Sequence, residues 1–310
     1  MTSTHVYSQD ELAEELDRLV DADAYAPPAP LDRAQRDIKA AAATMTTDEV
    51  KFLVDLYYTA QEYRITSQSR IRRTEQTEDP HAMLAWTFGS FELVEAEIKK
   101  ALDVYTQKEP TQVGLWLRSI TGIGPVIAAG LLAHKNPQDD ETVGRTWAFA
   151  GMDPTRTWDR GQKRPWNADL KVLCFHAGES FVKMQGRKTD FYGRLYAQRK
   201  LHEIERNESG VLAEQAAAVL AAKRIGKETV AYASYSVGKL PAAHIHARAR
   251  RWTVKLFLSH YHAVAYYLKH DRLPPRPYVI SQLGHVDEIA PPNMSLIAGM
   301  TEAWEARPRS

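Results

Sequence analysis

The chain has 310 residues, of which 44% are hydrophobic and 25% charged, with 40 Lys/Arg against 39 Asp/Glu. This is ordinary globular composition, with enough length for one large or two modest cores. There is no 18-residue apolar run to span a bilayer, no basic-then-apolar secretory leader in residues 1–10, and a single cysteine, Cys174. One cysteine excludes an internal disulfide and any cysteine zinc cluster, and in an apolar stretch it reads as an inert buried thiol. A reducing compartment, the cytoplasm, and no membrane partner follow as expectations. The near-zero net charge hides an asymmetry. Residues 1–50 carry four Lys/Arg and eleven Asp/Glu, whereas residues 155–200 carry eleven and four. An acidic front and a basic middle point to a polyanion partner for the middle.

The periodicity is helical almost throughout and predicts an all-α fold. Leu12 to Leu19 reads as a short amphipathic helix and Tyr25 to Pro30 as a proline-stiffened linker. A second helix is expected from Asp32 to Ala43. Thr46-Thr47-Asp48-Glu49 starts a longer one, with a capping hydroxyl and acids in the first turn. Its apolar positions Phe52, Leu53, Leu56, Tyr57, Ala60 and Tyr63 recur at three- and four-residue steps, and it is expected to reach about Gln76. Asp79-Pro80 opens the next, which carries Leu84, Phe88, Phe91, Val94, Ile98 and Leu102 as one stripe to about Tyr105. The pair reads as a long antiparallel hairpin, and it offers a stalk for a homodimer. Further helices are expected over Val113–Ile120, Val126–His134, Thr142–Ala150, Asn167–Met184, Phe191–Asn207, Leu212–Ile225 and Pro241–His270. The expected organisation is an acidic segment over 1–45, the hairpin over 46–110, a core domain over 111–272 and an irregular proline-rich arm over 273–310.

The segment Leu115 to His134 is the most informative. A helix ends, Thr121-Gly122-Ile123-Gly124 turns the chain, and Pro125 starts a second helix. The glycines permit positive φ and close backbone approach. Ile123 is placed to plug into the core. The unpaired N–H groups at Gly124 and in the first turn after it face an anion, with the helix dipole in support. Such a turn grips phosphate and does not read bases. A plain αα-turn is the rival reading. The segment is not a nucleotide-binding glycine loop, since no strand precedes it and no Lys-Ser/Thr closes it.

Downstream lies Ala148-Phe-Ala-Gly-Met-Asp-Pro154. The pairing of Gly-Ile-Gly-Pro-x-x-Ala-Ala with Ala-Gly-Met-Asp-Pro resembles the helix-hairpin-helix C-terminal domain of insertion-sequence transposases that join a RuvC-like DEDD domain to a serine-bearing helical domain, the bridge-RNA-guided class. The resemblance covers about Leu115 to Met184. It implies DNA contacts at Gly122, Ile123, Gly124 and Val126, and the hairpin reading adds Thr121. It does not carry the family's catalysis. The nucleophilic serine is missing from Thr155–Arg164, where Asp159 stands in its place, and no strand-rich acidic domain precedes the hairpin.

The loop after Pro154 interleaves Arg156, Arg160, Lys163 and Arg164 with Trp158 and Trp166, a mixture suited to phosphate neutralisation and base stacking, or equally to a loop whose tryptophans dock on the core. Lys183, Arg187, Lys188, Arg194, Arg199 and Lys200 extend the positive region. The last long helix adds Arg248 and Arg251 among His244, His246, Arg250, Lys255, His260 and His262. Metal binding there fails on geometry, because His244 and His262 are eighteen residues, about 27 Å, apart on one helix. No metal, cofactor or catalytic residue is therefore assigned. The expectation is a protein that binds DNA, branched or single-stranded forms included, by its backbone, in recombination, repair or mobile-element processing. Two alternatives stand beside it: a diverged transposase or nuclease using Asp159, Thr155 or Thr157, and a helical interaction scaffold whose hairpin is only a tight turn.

Overall fold

The computed structural model describes residues 33–74, 82–276 and 288–308. The expected helix at 12–19, the linker at 25–30 and the helix start at 79–80 lie outside them. Among the described residues the fold is all-α: helices and 3₁₀ turns with no strand. The helices are α1 (Arg36–Ala41), α2 (Thr47–Thr74), α3 (Ala82–Lys108), α4 (Val113–Ser119), α5 (Pro125–His134), α6 (Val143–Phe149), α7 (Ala168–Lys183), α8 (Phe191–Glu208), α9 (Ala213–Ala222), α10 (Val230–Ser236), α11 (Ala242–His270) and α12 (Met300–Glu305). None is long and apolar enough to cross a membrane. The chain divides into two compact units, Met1–Ala40 with Asp55–Lys100 and Ala41–Val54 with Ala101–Ser310. The ends of both long helices, Thr47–Val54 and Ala101–Lys108, thus belong to the second unit.

In the first unit α2 and α3 run antiparallel. Gln61 and Arg64 both reach Glu95, at 3.1 and 2.6 Å, and Tyr63 stacks on Phe91 with centroids 5.2 Å apart. The expected apolar positions bury unevenly: Ala60 is buried, but Phe52 is 65% and Tyr63 54% exposed. The start of α2 is a reciprocal capping box. The Glu49 carboxylate accepts from the Thr46 N–H and hydroxyl, and the Glu49 N–H donates to the Thr46 hydroxyl. These bonds hold the Glu49 carboxyl below its usual range.

The second unit is organised around α11. Phe257, fully buried, is ringed by Trp116 from α4, Phe181 from α7, Tyr192 from α8 and Tyr261 one turn on. Offset and edge-on contacts of this kind add about 0.5–1.5 kcal/mol per pair beyond burial. α5 is buried on nearly every side, as its Ala/Leu/Val composition requires. Gly130 gives Leu173 and Val54 room there: a Cβ would lie 2.7 Å from a Leu173 methyl. A smaller cluster of Leu212, Ala216, Tyr235, Leu240 and Ile245 joins α9 and α10 to the start of α11.

Three expectations are revised. α10 was not foreseen, although Thr229 caps it by accepting the Tyr232 N–H. The helix expected to reach Ile225 stops at Ala222, because Lys223 turns extended. The C-terminal arm is largely irregular over 288–308 but contains α12 and is tied down: the Trp116 indole donates to the Pro292 carbonyl, the Asn293 amide to the Ser119 carbonyl, and Met300 is fully buried.

Candidate nucleic-acid interface

The hairpin is built as its sequence requires. Ile120 N–H closes on Leu117 and Ile123 N–H on Ile120, at 3.2 and 2.9 Å. Gly122 has φ +100°, which an L side chain rarely adopts. Ile123 is buried at 2% exposure, locking the turn into the core. Gly124 caps α5, Pro125 fills its first position, and the first ladder bond runs from Ala128 N–H to the Gly124 carbonyl. The N–H groups of Gly124, Val126 and Ile127 precede that bond and lie outside the ladder. Val126 contributes only its N–H, since its side chain is buried.

The two glycines do different jobs. A Cβ on Gly122 would lie 3.2 Å from the Ser180 hydroxyl and 3.3 Å from the Phe181 ring, so this residue faces the end of α7. A Cβ on Gly124 would meet nothing within 4 Å, and its φ of −81° suits any residue. Side chains pin the turn from behind. The Ser180 hydroxyl donates to the Gly122 carbonyl at 2.6 Å. Arg118 donates to the Ile123 carbonyl at 3.0 Å while its other nitrogens hold Asp103. The Thr121 and Thr189 hydroxyls meet at 2.8 Å, which brings the α7–α8 loop against the hairpin. That loop presents Lys183, Arg187 and Lys188 as exposed side chains, and its own carboxylate, Asp190, is turned inward, accepting from Gly186 N–H and paired with Arg194. The positive end of α5 and three lysine/arginine side chains therefore share one corner.

The tryptophan loop is anchored at the other end of α7. Asp153 accepts from the Thr155 N–H and hydroxyl, which keeps its carboxyl below the usual range and commits that hydroxyl to a turn. Arg156 donates to the Pro165 carbonyl, and the Trp158 indole donates to the Gln162 carbonyl, closing the loop on itself. Arg164 lies over the Trp158 ring at 5.0 Å and Lys171 over Trp166 at 4.2 Å. Arg160, Lys163 and Asp159 are exposed. The Lys171 ammonium is pushed below its ordinary pKa by burial and by the charges of Arg164 and Arg251. Arg164 and Lys171 thus each cover a tryptophan at this end.

The structure gathers the expected residues into two groups. Thr121 to Val126 form one, and Arg156 to Arg164 with Arg251 the other. Lys171 and Ser180, which mark the two ends, are nine residues apart on α7, about 14 Å. Arg248 joins neither. Its guanidinium donates to Glu203 at 3.0 Å and to Gln215 at 2.6 Å, and Arg199 is likewise paired with Glu203, a carboxylate 1% exposed. Both cations serve the core. The histidines of α11 are also engaged in structure: His244 with the Tyr235 hydroxyl, His246 with Tyr196, His260 with Tyr192, and His262 with the Asp140 carbonyl. Among the described residues no three His, Cys, Asp or Glu side chains are grouped to hold a metal. Cys174 is buried, and burial pushes its thiol up to about 12. Sequence reading passed over Lys171, Phe175 and Ser180. Their signal was the period of α7: Lys171, Phe175 and Lys183 fall on one exposed arc opposite Leu170, Leu173, Ala177 and Phe181.

These observations define a helical protein with a pinned glycine turn and two basic corners on one helix. Against protein-family models, curated proteins and solved structures, the chain finds no match.

Proposed function

We propose that this protein binds the DNA backbone through the hairpin Thr121–Val126, with Lys183, Arg187 and Lys188 neutralising neighbouring phosphates. The observation that supports this most is Gly124. Neither φ nor packing demands glycine there, yet its backbone N–H stands at the positive end of a ten-residue helix with no side chain to screen it. A bare backbone in that position suits a tetrahedral oxyanion. The resemblance to transposase C-terminal domains is our ground for proposing a role in recombination, repair or mobile-element processing, as a DNA-holding module.

The test is binding of labelled duplex at 50 and 200 mM salt by wild type and Gly124→Asp. The variant keeps the turn's geometry and sets a carboxylate against the phosphate. A folded variant losing at least tenfold in affinity supports the reading; a folded variant with unchanged affinity overturns it. A second reading, an interaction scaffold, draws on an open groove of about 460 Å³ between α8, α10 and the start of α11, where Val230 is 83% and Val237 70% exposed. It is favoured if the wild type binds no DNA at either salt.

A further inference from the structure

We infer that the DNA this protein takes carries unpaired bases, and that these stack on Trp158, in the loop before α7, and on Phe175 of α7. The inference rests on the proposed function for the partner's class, and on separate residues for its content.

Phe175 is the leading observation. It sits in the middle of α7, 49% exposed, on the arc opposite the core. The Arg250 guanidinium lies over its ring at 4.1 Å. That guanidinium is held by Glu179, and its stem crosses Gly178, where a Cβ would lie 2.7 Å from the Arg250 Cγ. α7 therefore carries a glycine that lets a cation from α11 reach an exposed ring. One turn earlier stands Lys171 on Trp166, about 6 Å away as i, i+4 neighbours do. Beyond Trp166 comes Trp158, 36% exposed, its ring fixed by the indole bond to Gln162 and covered by Arg164.

Two exposed rings, Trp158 and Phe175, each carry a cation at one face, and Trp166, between them in sequence, is packed on Gly151 beneath Lys171. A solvated surface does not need the exposed rings, and a paired base cannot reach them, since its faces are already stacked inside the duplex. An unpaired base offers a π-face to the ring, and its phosphate falls near the cation. The charge fits the same partner: Arg164 and Lys171 stand at the tryptophan faces, within reach of the phosphates of a strand whose bases stack there. The hairpin corner, about 14 Å further along α7, needs no bases. A strand that leaves a duplex matches this layout, with its paired part at the hairpin and its unpaired part on the rings.

The experiment compares an oligothymidylate with a blunt duplex of equal length, by anisotropy, for wild type, Phe175→Ala, Trp158→Ala and Gly124→Asp, each checked for fold by circular dichroism. Stacking of this kind corresponds to about a 5- to 150-fold loss per ring removed. Phe175→Ala and Trp158→Ala are expected to weaken single-strand binding by that factor and to leave duplex binding within about twofold. Phe175→Tyr, which keeps the ring, is expected to bind like wild type. Equal loss on both DNAs, or no loss on either, overturns the stacking. Gly124→Asp reports on the hairpin alone, through the duplex, so either idea can fail without the other. Exposed Phe175 and Trp158 are not core residues, and their removal is compatible with folding.

Discussion

At the scale of single residues, the two glycines of the hairpin separate the needs of the fold from those of the proposed binding. Gly122 has a positive φ and lies against Ser180 and Phe181, whereas Gly124 has an ordinary φ and open space. Gly122→Ala forces a left-handed alanine and a contact 3.2 Å from the Ser180 hydroxyl. It should cost about 1–3 kcal/mol in a urea titration. Gly124→Ala should cost less than ~1 kcal/mol, because alanine is only a weaker helix cap; yet its methyl would stand where the proposed phosphate contact is made, and on that proposal duplex affinity should fall. The opposite pattern, a stable Gly122→Ala and an unstable Gly124→Ala, would show that the turn is held differently. The pattern Gly-x-Gly was readable as a turn, but not which glycine serves the fold. That depends on the α7 residues packed behind one of them, 58 positions away in the case of Ser180. Arg248 illustrates the same limit. A charge on a helix face looks available until its partner is known, and Glu203 lies 45 positions earlier on α8. A buried carboxylate needs cations, and no local spacing announces which ones it takes.

At the scale of elements, α11 has two characters that its sequence blurred. Its first half carries Arg248, Arg250, Arg251 and Lys255, whereas residues 260–267 are all buried. His260 and His262 looked like members of a basic face because they share a helix with arginines, but they belong to the core half. His260 anchors the C-terminal arm: one nitrogen meets the Ile289 carbonyl at 2.8 Å and the other the Tyr192 hydroxyl. A carbonyl only accepts, so Nε2 carries the proton and Nδ1 accepts from the tyrosine. Burial pushes the His260 pKa down to about 4 from 6.5. Below pH 6.5 the unfolded chain therefore binds a proton that the folded chain refuses, and stability falls as pH drops from 6.5 to about 4. It is fully present above that window, and the loss is on the order of 3 kcal/mol. His260→Gln keeps a donor and an acceptor without titrating. Its unfolding midpoint should change less between pH 7 and 4.5 than that of wild type; an equally steep profile would assign the acid sensitivity elsewhere. Most helices were legible because caps and apolar periods agree, as at Thr46–Glu49 and Asn167. α10 was not, because its seven residues are too few to establish a period, and α12 was not, because Met300 is held by the fold around it and not by a repeating stripe.

At the scale of the whole molecule, a net charge of +1 says little, because the charges are sorted. Many arginines are neutralised in place: Arg64 by Glu95, Arg118 by Asp103, and Arg276 and Arg307 by Glu288. At the two corners the cations offered to a polyanion are Lys183, Arg187 and Lys188 at the hairpin, and Arg160, Lys163, Arg164, Lys171 and Arg251 at the tryptophan loop. The two groups are anchored toward opposite ends of α7, where Lys171 and Ser180 are about 14 Å apart along the axis, and a DNA that touched both would make all eight contacts. Eight phosphate contacts give a slope of about −7 in log affinity against log salt, or a loss of about 10⁴-fold between 50 and 200 mM. Replacing Lys183, Arg187 and Lys188 together by alanine should flatten the slope by about 3. Replacing Arg145, already paired with Glu141, should leave it unchanged. A wild-type slope of about −3 or about −4.5 would mean that only one corner, with its three or its five cations, touches DNA, and the triple variant then says which. If its slope collapses to near zero, the hairpin holds the DNA alone; if it is unchanged, the contact belongs to the tryptophan loop, and the hairpin is a structural turn.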